Sequence, residues 1–274
     1  MFIIYVDDIT DHVSSSIRIF ADDTKIYAPT SEAAALQSDL DSVSEWARKW
    51  ELQFNVDKCK VIHFGHDNPD TDYQMNDVPI NACTEECDLG VTFDRDLKFS
   101  KHISLKVNKA NSILGLISRT FEFIDNYTFV RLYTALVRPH LEFANVVWHP
   151  YLKKDVQSVE NVQRRATKLV PQLRHLEYTD RLRLLKLPSL AHRRLRGDMI
   201  QTFKIVKSLD DSNFDKFFTY TSSTRGHDLK LDLPLSLTSF CQNQFSRRVV
   251  RIWNSLPQHV VNASDVSQDL QCSS

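Results

Sequence analysis

The chain has 274 residues, 42% hydrophobic and 25% charged, with only five glycines and a net charge of −1. Such a length allows two domains, and such a composition excludes wholesale disorder and a glycine-rich loop protein. The near-zero charge hides two blocks: residues 1–94 carry 6 Lys+Arg against 19 Asp+Glu, and residues 95–207 carry 22 against 9. An acidic block suits cations and an adjoining basic block suits phosphates, although charge blocks also serve simply as solvated faces.

Residues 2–28 read as strand, loop and hairpin. Tyr5-Val6-Asp7-Asp8 ends the first strand, with Asp7 and Asp8 expected as solvated carboxylates at its end. In Ser16–Tyr27, Ile17 and Ile19 alternate with Ser16 and Arg18, and Lys25-Ile26-Tyr27 follows two adjacent aspartates, Asp22 and Asp23. That pattern predicts an antiparallel hairpin with both carboxylates at its turn. Asp is a common turn residue, so a plain surface turn is one reading. The other is chemical. Two close carboxylates repel, a cation relieves the repulsion, and hard oxygen donors favour Mg²⁺, the ion of in-line phosphoryl transfer.

Residues 31–50 predict an amphipathic helix, capped by Thr30 or Ser31, with Leu36, Leu40, Val43, Trp46 and Trp50 on one apolar face. Strands are expected at 59–65, 73–75, 78–80 and 89–93, with a polar loop from His66 to Asp72. The order is α+β, a helix laid on one face of an antiparallel sheet.

From about Phe99 the period becomes helical. Ile103, Val107, Ile113, Leu114 and Ile117 predict one helix, and Phe129 to Val137 a second, ended or kinked by Arg138-Pro139. Val156 to Val170 predicts a third, with Val159, Ala166 and Leu169 inward and Arg164, Arg165 and Lys168 outward. Helices at 180–185 and 190–209 add Arg181, Arg183, Arg193, Arg194 and Arg196. Singly these arginines read as solvated side chains covering apolar surface. As a cluster they read as a nucleic-acid interface. Residues 210–245 look loop-rich, Phe245 to Leu256 forms a short helix stopped by Pro257, and the tail after Ala263 is expected to fray. The domain reading is therefore 1–97, 98–209 and 210–274.

Cys59, Cys83, Cys87, Cys241 and Cys272 are odd in number and scattered, which suggests reduced thiols and an intracellular site, nuclear or cytoplasmic. Cys83-x-x-x-Cys87 lacks a second Cys/His pair at zinc-finger spacing. No apolar run approaches the ~20 residues of a membrane span, and Met1–Val6 is too short and too soon acidic for a signal peptide.

Phe20-Ala-Asp-Asp-Thr-Lys-Ile-Tyr27 resembles the catalytic hairpin of reverse transcriptases from non-LTR, LINE-type retrotransposons. Leu36-Gln-Ser-Asp-Leu40, Phe54-Asn-Val-Asp-Lys-Cys59 and Asp88-Leu-Gly-Val-Thr-Phe-Asp-Arg-Asp-Leu97 follow in the family's order. Gln163–Lys168, Leu187–Leu190 with Arg193–Asp198, and Trp253-Asn-Ser-Leu-Pro257 resemble the C-terminal region of jockey- and CR1-like elements. The resemblance implies an RNA-directed DNA polymerase: a partial palm over 1–97, a helical, basic thumb over 98–209 and a C-terminal region over 210–274. It implies Asp22 and Asp23 as metal ligands for Mg²⁺, and Lys58 as a proton donor to departing pyrophosphate, where a surface lysine after the turn at Asn55 stays open. It implies an RNA template, a DNA primer and their RNA–DNA hybrid held by Arg164, Arg165, Lys168, Arg193, Arg194 and Arg196, with deoxynucleotides as substrates. In that family a further aspartate and a fingers region lie well upstream, whereas Met1 stands 21 residues before Asp22. The expectation is thus the C-terminal half of the enzyme, with weak or absent Mg²⁺ binding and no activity in isolation. A non-catalytic nucleic-acid-binding remnant and a helical interaction protein remain as alternatives.

Overall fold

The computed structural model describes residues 7–221, 226–236 and 238–263. The chain divides into two compact units, residues 1–97 and 98–274.

In the first unit, strands β1 (Ser16–Phe20) and β2 (Asp23–Tyr27) pair antiparallel, Ile17 opposite Ile26 and Phe20 opposite Asp23. Period-2 alternation turns Ile17, Ile19 and Ile26 onto one face, where they pack against Ile9, Val43, Trp46, Ala47 and Met75. Val43, Trp46 and Ala47 come from helix α1 (Ala33–Lys49), which lies against that face. The helix starts later than expected. Pro29 opens a 3-10 turn over Thr30–Glu32, so neither Thr30 nor Ser31 caps α1, and its N-cap Glu32 makes no side-chain capping bond. The inward stripe is also rotated. Leu40 joins the cluster, but Leu36 is only half-buried and lies outside it, and Trp50, beyond the last helical residue, is exposed.

The expected strand at the amino terminus is largely outside the described residues, and Asp7–His12 forms a 3-10 helix whose Ile9 enters the core. The single antiparallel sheet is corrected to four separate two-stranded ladders. Strand β3 (Lys60–Ile62) pairs in parallel with β6 (Asn81–Cys83), while β4 (Gln74–Met75) and β5 (Val78–Pro79), and β7 (Glu85–Asp88) and β8 (Val91–Asp94), are hairpins. Each of those hairpins closes through two residues with positive φ, Asn76-Asp77 and Leu89-Gly90, so Leu89 turns the chain instead of opening a strand. Such tight local closure leaves ladders of two to five residues, too short to merge into one sheet.

The second unit is helical. Helix α2 (Ser100–Thr120) buries His102, Ile103, Val107, Ala110, Leu114 and Ile117. Pro139 does not end the next helix. Helix α3 (Asn126–Leu132) passes through a π turn, Tyr133–Val137, into α4 (Arg138–Glu142). The wide turn accommodates a residue that has no N–H and whose ring crowds the carbonyl four residues earlier. Helices α5 (Asn145–Trp148), α6 (Lys153–Ala166), α7 (Tyr178–Leu185) and α8 (Leu190–Val206) follow. Four short helices close the described chain: α9 (Ser239–Asn243), α10 (Phe245–Arg248), α11 (Val250–Asn254) and α12 (Gln258–Val261).

The division expected at residue 209 is absent. Met199, Phe203, Ile205 and Val206 of α8 share one core with Phe218, Leu231, Val249, Val250, Trp253 and Val261. Trp253 Nε1 donates to Leu229 O (2.8 Å), and Asn254 both donates to and accepts from the Leu231 backbone at 2.8 and 2.9 Å. The Trp-Asn pair thereby clasps the loop-rich segment onto the helices. The residues after Ala263, including Cys272, lie outside the described residues.

Candidate functional site

The β1–β2 hairpin turns through two residues, Ala21 and Asp22, and Asp23 opens the returning strand. Ala21 takes φ 55°, a left-handed conformation that a two-residue connection demands and that non-glycine residues adopt at a cost. Asp22 and Asp23 are exposed, and neither carboxylate accepts a hydrogen bond or forms an ion pair among the described residues. No cluster of three or more His, Cys, Asp or Glu side chains able to hold a metal occurs among the described residues. The donor set is two adjacent hard oxygen ligands free of any competing cation, which fits a divalent ion taking its remaining ligands from water or substrate.

Three contacts brace this hairpin. Lys25 reaches Asp88 at 2.5 Å, linking β2 to the Asp88-Leu-Gly-Val segment. Asp39 of α1, 4% exposed, accepts from Ser14 N (2.8 Å), Ser14 Oγ (2.9 Å) and Ser15 N (2.8 Å), which fixes the chain just before β1. Burial pushes the Asp39 carboxyl up, but the hydrogen bonds from Ser14 and Ser15 pull it down further, and its pKa ends below the ordinary value. Asp8 Oδ1 accepts from Trp46 Nε1 at 2.9 Å. Asp8 is therefore not the merely solvated carboxylate expected of it but an anchor for α1. Asp39 was detectable in the sequence, since it shares the i, i+4, i+7 spacing of Val43 and Trp46. The Lys25–Asp88 and Asp8–Trp46 partnerships left no such trace.

Lys58 is exposed on a 3-10 turn, Val56–Lys58, whose backbone N–H bonds back to Asn55 O at 3.0 Å. No hydrogen bond or ion pair joins it to Asp22 or Asp23 among the described residues.

In the helical unit Arg164, Arg165 and Lys168 are exposed at the carboxyl end of α6 and the 3-10 turn after it. The Arg164 guanidinium stacks 4.3 Å from the Tyr178 ring centroid, and Arg165 donates to Asn111 Oδ1 at 2.7 Å. Leu169, expected inward, is half-buried. Arg196 is exposed on α8 without an ion-pair partner among the described residues. Two expected phosphate ligands are corrected. Arg193 forms a bidentate pair with Glu142, and that hydrogen bonding raises its pKa, so its charge is already answered. Arg194 is 2% exposed. One residue beyond Arg193, it faces inward on α8, where burial lowers its pKa against the opposing pull of Glu160, Asp198 and Glu142. Arg181 likewise turns inward and donates to the Leu176 and Arg164 carbonyls.

Beneath this surface lies a buried polar network. Tyr133 donates to Gln163 Oε1 at 2.6 Å, Gln163 donates to Pro188 O at 3.0 Å, and the Tyr178 hydroxyl makes a short bond to Glu160. Burial pushes both tyrosine hydroxyls well above their ordinary pKa. These phenols stay protonated donors and serve structure.

Residues 1–117, which include the hairpin and its supports, match the reverse transcriptase (RNA-dependent DNA polymerase) family. The relatives the chain resembles are polymerases of non-LTR, LINE-type elements. The chain is 31% identical over 144 residues to an RNA-directed DNA polymerase from mobile element jockey of Drosophila funebris, covering 48% of this chain and 15% of that one. It is 25% identical over 174 residues to the "Probable RNA-directed DNA polymerase from transposon X-element" of Drosophila melanogaster, covering 60% and 19%. A jockey polymerase from Drosophila melanogaster is 31% identical over 93 residues, covering 32% and 10%. The chain thus spans less than a fifth of each of these relatives. No solved structure matches it. No described helix is long and apolar enough to cross a membrane.

Proposed function

We propose that the chain is a piece of an RNA-directed DNA polymerase in which Asp22 and Asp23 are ligands of catalytic Mg²⁺. The observation that carries this reading is the pair of exposed, unanswered carboxylates at a two-residue hairpin loop, inside the segment that matches reverse transcriptases. Residues 1–97 then correspond to part of a palm, and the helices from Lys98 onward to a thumb and C-terminal region. The reaction is attack of a primer 3′-hydroxyl on the α-phosphate of a deoxynucleotide, with pyrophosphate leaving. Bound Mg²⁺ would supply charge stabilisation at the attacking and leaving oxygens. Asp22 and Asp23 present exposed carboxylates at the hairpin turn to that ion. Lys58, on its exposed turn, donates a proton to the departing pyrophosphate or steadies its charge. Arg164, Arg165, Lys168 and Arg196 neutralise backbone phosphates of the RNA–DNA hybrid. The stacked Arg164 guanidinium is pre-organised for this.

Positioning of primer, nucleotide and metal supplies much of a polymerase's rate, and the match covers 15% of the jockey relative. The isolated chain should therefore bind a hybrid without extending it. The test is anisotropy of a labelled RNA–DNA hybrid across a salt series, beside a primer-extension assay. Binding should fall steeply with salt, and the triple change of Arg164, Arg165 and Lys168 to Ala should weaken it and flatten the slope. Mg²⁺ titration should show low affinity, weakened further in Asp22→Ala. Absence of salt-sensitive binding, or Mg²⁺ affinity indifferent to Asp22→Ala, overturns the reading.

A further inference from the structure

The hairpin has two faces, and among the described residues the apolar cluster packs on the inner one. On the outer face the register stacks three cross-strand pairs: Ser16 with Tyr27, Arg18 with Lys25, and Phe20 with Asp23. Directly opposed side chains share a face. Phe20 and Tyr27 are 61% and 51% exposed there.

The central pair is anomalous. Residues 1–94 contain only six Lys and Arg, and two of them face each other across one ladder rung, where like charges repel. Lys25 is compensated by Asp88. Arg18 has no carboxylate partner among the described residues, and its guanidinium makes one bond, to its own strand at Ile17 O (2.7 Å). Arg18 stands one same-face step, about 7 Å along the strand, from the rung that carries Asp23. An exposed aromatic at Phe20 lies on that step. A cation, an apolar ring and a metal-binding carboxylate in that order match a phosphate, its sugar or base, and a reacting 3′-hydroxyl.

We propose that Arg18 is a positioning residue that binds the last internucleotide phosphate of the primer strand and so sets the 3′-terminal nucleoside on Phe20 beside Asp23. The proposal rests on the polymerase reading above and adds to it a phosphate site on the hairpin itself. A phosphate on Arg18 also answers the one charge of this rung that has no carboxylate partner among the described residues.

The test is a chemical double-mutant cycle on the full chain. The partners are Arg18→Gln and a hybrid whose last primer linkage is a neutral methylphosphonate. Each change alone should weaken hybrid binding about 10-fold, the lower end for a hydrogen bond to a charged group. Together they should weaken it no more than either does alone. Because Arg18→Gln relieves repulsion from Lys25, its melting temperature should not fall, so lost binding is not lost folding. Arg18→Lys should recover part of the affinity. Unchanged binding in Arg18→Gln, or penalties that simply multiply, overturns the proposal while salt-dependent binding of the unaltered chain upholds the polymerase reading. An unaltered chain with no salt-sensitive binding overturns both.

Discussion

Asp198 is the residue whose loss should cost the helical unit most. Its side chain is 3% exposed, and Arg248, 11% exposed, grips it with Nε and Nη2 at 2.9 and 2.8 Å. His149 Nδ1 lies 3.2 Å from the same carboxylate. Arg248 also donates to Val146 O and Asn243 O, so one guanidinium ties α8, α5 and the segment before α10. Asp198→Asn keeps the shape but leaves Arg248 buried with its charge unanswered, which should cost about 3–5 kcal/mol. For a unit of this size that is a fall in melting temperature of roughly 10 °C. Replacing both partners, Asp198→Leu with Arg248→Met, should cost less than the two single changes summed, because no lone charge remains. Burial pushes the Asp198 carboxyl up, but Arg248 and His149 pull it further down, to a pKa below the ordinary value. With the folded pKa below the unfolded one, this stabilisation is complete above the unfolded pKa, about 3.9, and is lost as pH falls through the folded pKa. Urea unfolding at pH 7 and in acid is the assay. A loss under 1 kcal/mol for Asp198→Asn at unchanged m-value would refute the claim that this pair holds the unit together.

Asp39→Asn should destabilise the acidic unit by about 1–3 kcal/mol, since the backbone N–H groups of Ser14 and Ser15, in part-buried hydrogen bonds, lose a charged acceptor. Hydrogen exchange at those amides and those of β1 should quicken, and its own depressed pKa places the acid loss of this term below the unfolded carboxylate value as well. Asn254→Ala should release the Leu231 backbone and cost about 1–3 kcal/mol, read as faster proteolysis within 226–236 while α2 stays protected.

Local chemistry made the candidate site legible in advance. Alternating isoleucines around two aspartates specify a hairpin because side-chain direction has period two, and a returning strand leaves little choice for the turn. Helix periodicity marked α2, α6 and α8 for the same reason. Motifs in chain order then pointed to the family that residues 1–117 match. What one dimension does not carry is the identity of partners distant in sequence. Nothing adjacent to Arg194 distinguishes it from Arg196, yet the two residue steps between them rotate a helix position by about 200°, and this turns one guanidinium into the core and the other to solvent. Arg193, chosen as a phosphate ligand, is claimed by Glu142 from 51 residues away. Asp8 reads as solvated until the fold brings Trp46 to it. The expected single sheet fails because turns at Asn76-Asp77 and Leu89-Gly90 close each hairpin before a third strand can join. The boundary at 209 fails because Trp253 and Asn254 fold the following loops back onto α8. Sequence alone determined where the carboxylates stand and what chemistry they suit. Tertiary structure decided which charges are free to meet a phosphate, because a charge already answered inside the fold has little left to offer a ligand.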